Sequence, residues 1–271
     1  MERKLVKPAR LAYAIYFIAV IASLIETFLL LLPGKASSFL CPGALIGSIA
    51  VILASQAPGY ASSFSGSRAA CIKWFAISSA CLIIGYCLEL LLNKATGYYP
   101  SLSLRLNIQN TLKIVPTLSV GFYLVSIIGD IACCIWEEGI FRGASLRLFK
   151  ASSGSFWLGA FHSSALYAVW KAIIAALTYT HQTTSSTNAL QAFVKAFVVA
   201  FAAGAVLCIV SELDGTQSSM AAHLCYCISA RFIHVHTYTG VNELPVLRYG
   251  LALIVFAIYS VSVLIPVQEG P

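Results

Sequence analysis

An all-α, polytopic transmembrane helical bundle is the fold class this sequence predicts, on two observations. Of 271 residues, 59% are hydrophobic and only 10% are charged. The apolar residues also gather into runs long enough to cross a bilayer. An average soluble domain carries about 25% charged residues, so this chain could not cover a water-facing surface. A soluble globular enzyme, a disordered chain and a phosphate-gripping nucleic-acid module are thereby excluded. The formal charge of +7 is spread along the chain apart from the basic start MERKLVKPAR, which suits membrane orientation and anionic lipid.

A hydrocarbon core about 30 Å thick takes roughly 20 apolar residues at 1.5 Å each. Reading for such runs predicts about eight spans, one of them short. They are Leu11–Leu32, Leu40–Ala57, Ala69–Leu92, Ile114–Trp136, Phe156–Tyr179, Ala189–Ser211, the short Thr216–Ala230, and Pro245–Val267. Breakers divide them: PGK at 33–35, QAPGY at 56–60, NKATGYYP at 93–100, HQTTSST at 181–187 and ELDGT at 212–216. The first run follows a basic start but exceeds the 7–15 residues of a signal-peptide core, so it reads as an uncleaved anchor. No internal repeat is visible, and 1–271 reads as a single integral membrane domain.

Lys and Arg near span ends set orientation. With the N-terminus inside, Arg3, Lys4, Lys7, Arg10, Arg68, Lys73, Arg142, Arg147 and Lys150 gather on the inner side. Lys35, Lys94, Arg105, Lys113, Arg231 and Arg248 gather outside. That bias places both termini in the cytoplasm and the chain in the cell membrane. Most cysteines fall within spans, where they act as small hydrophobes; Cys225 and Cys227 would point to opposite sides of a helix.

An ionisable group inside a span costs about 2.5–3.5 kcal/mol on insertion scales, so each requires a reason. Lys171 and Lys195 sit near outer ends, where a lysine stem can snorkel. Glu89 reads as interfacial, and Glu26 and Asp130 as buried acids bonded to a neighbouring helix. Four residues remain. Glu137 and Glu138 end the fourth span, and Glu138 faces Arg142 at i,i+4. Glu137 points roughly 100° away, toward the bundle interior. His162 lies a short way into the next span, at a similar inner depth. His223 and Cys227 share one face of the short, polar seventh segment, which belongs beside a water-filled cavity. One carboxylate and two imidazoles on three helices make a plausible hydrolytic constellation. The stretch IFRGASLRLFK at 140–150 reads as a basic interfacial helix.

These residues resemble the CAAX prenyl endopeptidase and bacteriocin-processing (CPBP) family of intramembrane proteases, over about residues 114–230. Glu137-Glu138-Gly139-Ile140-Phe141-Arg142 matches its EExxxR motif. Leu158 to His162 matches FxxxH in the His, with Leu158 replacing the Phe. His223 to Cys227 matches HxxxN in the His, with Cys227 in the last position. The resemblance implies an endopeptidase that cuts near a substrate C-terminus, in peptide processing or bacteriocin self-immunity. It implies that Glu137 with His162 activates water, that His223 with residue 227 stabilises the oxyanion, and that Glu138 and Arg142 orient the helix. A metal-free glutamate mechanism is preferred; the alternative is a zinc ion on Glu137, His162 and His223. The implied partners are the bilayer and a membrane-associated or lipidated peptide, with no nucleic acid.

Two other classes remain open. A thiol is a weak donor beside an asparagine amide, so Cys227 favours a catalytically weak or inactive relative that serves as an immunity or accessory binding protein. A transporter would use the buried charges as an ion path, but the halves show no repeat.

Overall fold

The computed structural model describes residues 10, 13–14, 17–18, 21, 66–104, 120–182, 186–237, 240–241 and 244–268. Within these, it is almost entirely helical. In order come α1 (Arg68–Ala95), β1 (Ser101–Leu104), α2 (Val120–Glu138), a π-helical segment (Gly139–Ser145), α3 (Leu146–Ser153), α4 (Phe156–Gln182), α5 (Ser186–Asp214), α6 (Thr216–Phe232), β2 (Ile233–Thr237), β3 (Gly240–Val241) and α7 (Pro245–Gln268). Four of these helices contain stretches long and apolar enough to cross a membrane, at Arg68–Ala95, Phe156–Leu177, Ala189–Asp214 and Val246–Ile265. The span predicted at Leu40–Ala57, almost all of Leu11–Leu32, Glu26 and residues 114–119 lie outside the described residues.

The short seventh segment is a 17-residue helix. It begins after Gly215, whose φ of 87° suits a residue without Cβ. The expectation of an all-α chain is corrected by a small antiparallel sheet in the order β1-β2-β3. Ser101 pairs with His236 and Leu104 with Ile233. Ile-His-Val-His-Thr alternates apolar and polar residues, the period of a strand.

The chain divides into two compact units. The first comprises Met1–Ser67 and Ala132–Met220, the second Arg68–Ile131 and Ala221–Pro271. In the first unit the helix does not stop where the fourth span was predicted to end. It continues from Glu138 through the π-helical segment into α3 and turns only at Gly154. Gly154 adopts φ 70°, and its N–H donates to the Lys150 carbonyl at 2.8 Å, a left-handed helix cap that favours glycine. Segment 140–150 is therefore not a surface anchor: Gly139 to Leu146 are all buried. Trp136, Ile140, Phe141, Leu148, Phe149, Tyr167 and Trp170 form its apolar core. Apolar side chains on both sides of the turn face each other, and that burial outweighs the basic character of Arg142 and Arg147.

In the second unit α1 packs against α7. Gly85 permits this approach, since a Cβ there would stand 2.4 Å from the Arg248 carbonyl oxygen.

Candidate active site

Glu137 lies seventeen residues before Gly154 and Lys171 seventeen after, so the antiparallel hairpin sets them opposite each other. Lys171 Nζ is 2.7 Å from Glu137 Oε1, and the Tyr167 hydroxyl donates to Oε2 at 3.2 Å. Glu137 is 5% exposed. One expectation changes here: Lys171 does not snorkel but stands against Glu137. A lysine stem reaches either water or a nearby acid, and in an apolar bundle a carboxylate within reach is the better partner. Lys171 also lies over the Trp170 ring at 4.5 Å and the Tyr167 ring at 5.5 Å, where the ring faces attract a cation.

Glu138 and Arg142 meet as their i,i+4 spacing predicts, with 3.1 Å between Oε1 and Nη1 and both side chains fully buried. The guanidinium carbon also sits 4.3 Å from the centre of the Tyr167 ring. The π-helical segment begins directly after Glu138, and such departures from α-helical pitch are frequent at functional sites. Arg142 Nε and Nη2, with the indole N–H groups of Trp136 and Trp170, find no acceptor among the described residues. Buried donors of this kind are satisfied by ordered water.

His162 is on α4 but at another level. It precedes Lys171 by nine residues, about 13 Å along the axis and roughly 180° around it. Its ring stacks on Phe149 with centroids 5.2 Å apart. Nδ1 lies 2.7 Å from the Leu158 carbonyl oxygen. A carbonyl only accepts, so Nδ1–H is the donor of this contact. The hairpin thus brings Glu137 to Tyr167 and Lys171, not to His162. Tyr167 and Lys171 are functional neighbours that sequence reasoning missed; the available signal was an intramembrane acid in need of a cation.

His223 and Cys227 belong to the second unit, on α6, with their ligand-type atoms within 4.8 Å of each other. They share a face, as predicted. Cys225 points the other way, its sulfur 3.2 Å from the Ser79 hydroxyl of α1. Zinc ligands lie about 2.0–2.3 Å from the ion. The His223–Cys227 separation suits two such ligands. Glu137 and His162 do not fit one ion in this arrangement, because Glu137 of α2 meets α4 at Lys171, about 13 Å along the axis from His162.

Two further acids in the second unit have partners. Asp130 forms a two-pronged ion pair with Arg231 of α6, the buried, helix-bridging role expected of it. Glu89 is fully buried and paired with Arg248, which corrects its interfacial reading. An open cavity in the first unit lies at the hairpin turn, lined by Arg147, Lys150, Gly154, Ser211 and Glu212 among others. None of its lining residues is a predicted site residue.

The motif residues are all inside the segment that comparison picks out. Residues 119–229 match the family model of the Rce1-like type II CAAX prenyl endopeptidases. The match includes Glu137, Glu138, Arg142, His162, His223 and Cys227, and coincides with the span of the sequence resemblance. No curated protein and no solved structure matches the chain. This segment of the chain is thus similar to that family, in a protein with four described helices long and apolar enough to cross a membrane.

Proposed function

We propose that this protein is an intramembrane endopeptidase that hydrolyses a peptide bond near the C-terminus of a membrane-associated or lipidated substrate. It would work in the cell membrane with both termini cytoplasmic. The observation that carries this reading is a buried carboxylate, Glu137, at the head of an EExxxR motif within the family-matched segment. Glu137 is the general base. It takes a proton from water as the water oxygen bonds to the scissile carbonyl carbon. The same proton then passes to the departing amine nitrogen as the C–N bond breaks. The products are a carboxylic acid and an amine.

Glu138 and Arg142, locked together, hold that turn of helix in place. By their motif positions, His162 assists the base, while His223 and Cys227 support the oxyanion. Because Glu137 meets α4 at the level of Lys171 and His162 lies at another level, His162 reaches the base only after the hairpin rearranges, and the ion-paired arrangement is read as the resting one. Peptide processing and bacteriocin self-immunity both suit this chemistry.

The second reading is a membrane immunity or accessory protein that binds a peptide without cutting it. Two features favour it: an ammonium seated on the proposed base, and a thiol at 227 where the family motif has an amide donor. Full-length protein in vesicles, given a prenylated-cysteine peptide, separates the two. Glu137→Gln should lower cleavage by about 10²–10⁴ with the melting temperature little changed; undiminished cleavage by this variant would overturn the reading. Cys227→Asn should leave the rate unchanged or raise it, by up to about 10²-fold. A large drop would give the thiol its own role. Activity should survive chelation and metal stripping if Glu137 acts without an ion.

A further inference from the structure

The Glu137–Lys171 pair is lopsided. Its ammonium side chain is 33% exposed, its carboxylate only 6%. An incoming ligand therefore meets Lys171 first. We propose that Lys171 receives the free C-terminal carboxylate of the substrate, which takes the ammonium from Glu137 and releases the base. This inference rests on the endopeptidase reading and names the chemical end of the substrate that the site selects.

Three features support the exchange. Lys171 keeps a place without Glu137, because the Trp170 and Tyr167 rings lie 4.5 and 5.5 Å from its nitrogen. Glu137 keeps a donor without Lys171, because the Tyr167 hydroxyl bonds its other oxygen. Finally, a partly exposed ammonium still gains from a charge-assisted contact, so another anion replaces the carboxylate there better than a neutral group does. The chain terminus is the one anion that every peptide cut near its C-terminus carries. A neutral amide end cannot perform the exchange. Bonds far from the terminus would leave the base held, which accounts for a preference for terminal positions.

The experiment uses the full chain in vesicles and two probes, a prenylated-cysteine tetrapeptide as the free acid and as the C-terminal amide. The wild type should bind the acid about tenfold or more tighter, the size expected of a charge-assisted contact. Lys171→Met should abolish that preference and leave amide binding unchanged. Glu137→Gln, which removes the competing carboxylate, should bind the acid more tightly than the wild type, an effect a purely structural lysine would not produce. This arm also stands if Lys171→Met fails to fold. Equal affinity for the two probes, a preference that persists in Lys171→Met, or no binding of either probe would overturn the proposal. Cleavage is scored separately. Cleavage without acid preference removes the role of Lys171 and keeps the protease; acid preference without cleavage does the reverse.

Discussion

Two buried acid–base pairs, one in each compact unit, solve the same problem differently. Glu89 accepts the Leu244 backbone N–H at 2.6 Å, Arg248 Nε at 2.6 Å and Arg248 Nη2 at 3.2 Å. Arg248 Nη1 goes on to the Tyr86 hydroxyl at 3.0 Å, which meets the Ser229 hydroxyl at 2.8 Å. With exposures of 2% and 0%, this network is closed. Glu137 instead meets the compact ammonium of Lys171, which stands partly open. A guanidinium is a planar fork that locks a carboxylate in two directions, whereas an ammonium is a point charge on a flexible stem. The arginine pair braces helices; the lysine pair is one whose partners can be exchanged.

That contrast breaks most sharply at Glu89. Glu89→Ala leaves the Arg248 charge buried without its partner and should cost about 3–5 kcal/mol, read as the loss of stability on denaturant unfolding in detergent. A loss under about 1 kcal/mol would show that water reaches the network. Next comes Gly85→Ala, whose new methyl would press on the Arg248 carbonyl. The expected cost is about 1–3 kcal/mol, and the same unfolding assay checks it. Glu137→Gln should cost less, at most about 1 kcal/mol, because Lys171 can turn toward water and Tyr167 keeps an acceptor. Thermal melts of Glu89→Ala and Glu137→Gln side by side decide whether the two pairs differ as described. The smallest effect belongs to Lys150→Ala, which removes the exposed contact with Glu212. It should change stability by less than about 1 kcal/mol, and by still less in high salt.

Much of the helical layout could be read in advance. The predicted runs at 69–92, 156–179, 189–211 and 245–267 lie inside the observed helices α1, α4, α5 and α7. The Glu138–Arg142 pair was equally legible, because i,i+4 contacts depend only on helical pitch. Segment 140–150 was misread because a basic helix near a span end has the same pattern at a membrane surface as in a hairpin core. The strand Ile233–Thr237 went unnoticed for want of length: five alternating residues beside long apolar runs give little signal. For Glu137 and Glu89 the acid was found and its cation was not. Lys171 lies 34 positions from Glu137 and Arg248 lies 159 from Glu89, and no local spacing rule connects residues that far apart.

Composition and run length alone committed this chain to a membrane, because bilayer thickness and the cost of buried charge act on each segment by itself. Motif spacing alone named Glu137, His162 and His223 as the residues to examine. What the tertiary structure decided is which charge each buried acid meets. A lysine or arginine stem can extend toward water or toward a neighbouring helix with similar ease, and the outcome depends on how the hairpin aligns its two arms around Gly154. It depends equally on how closely Gly85 lets α7 approach α1.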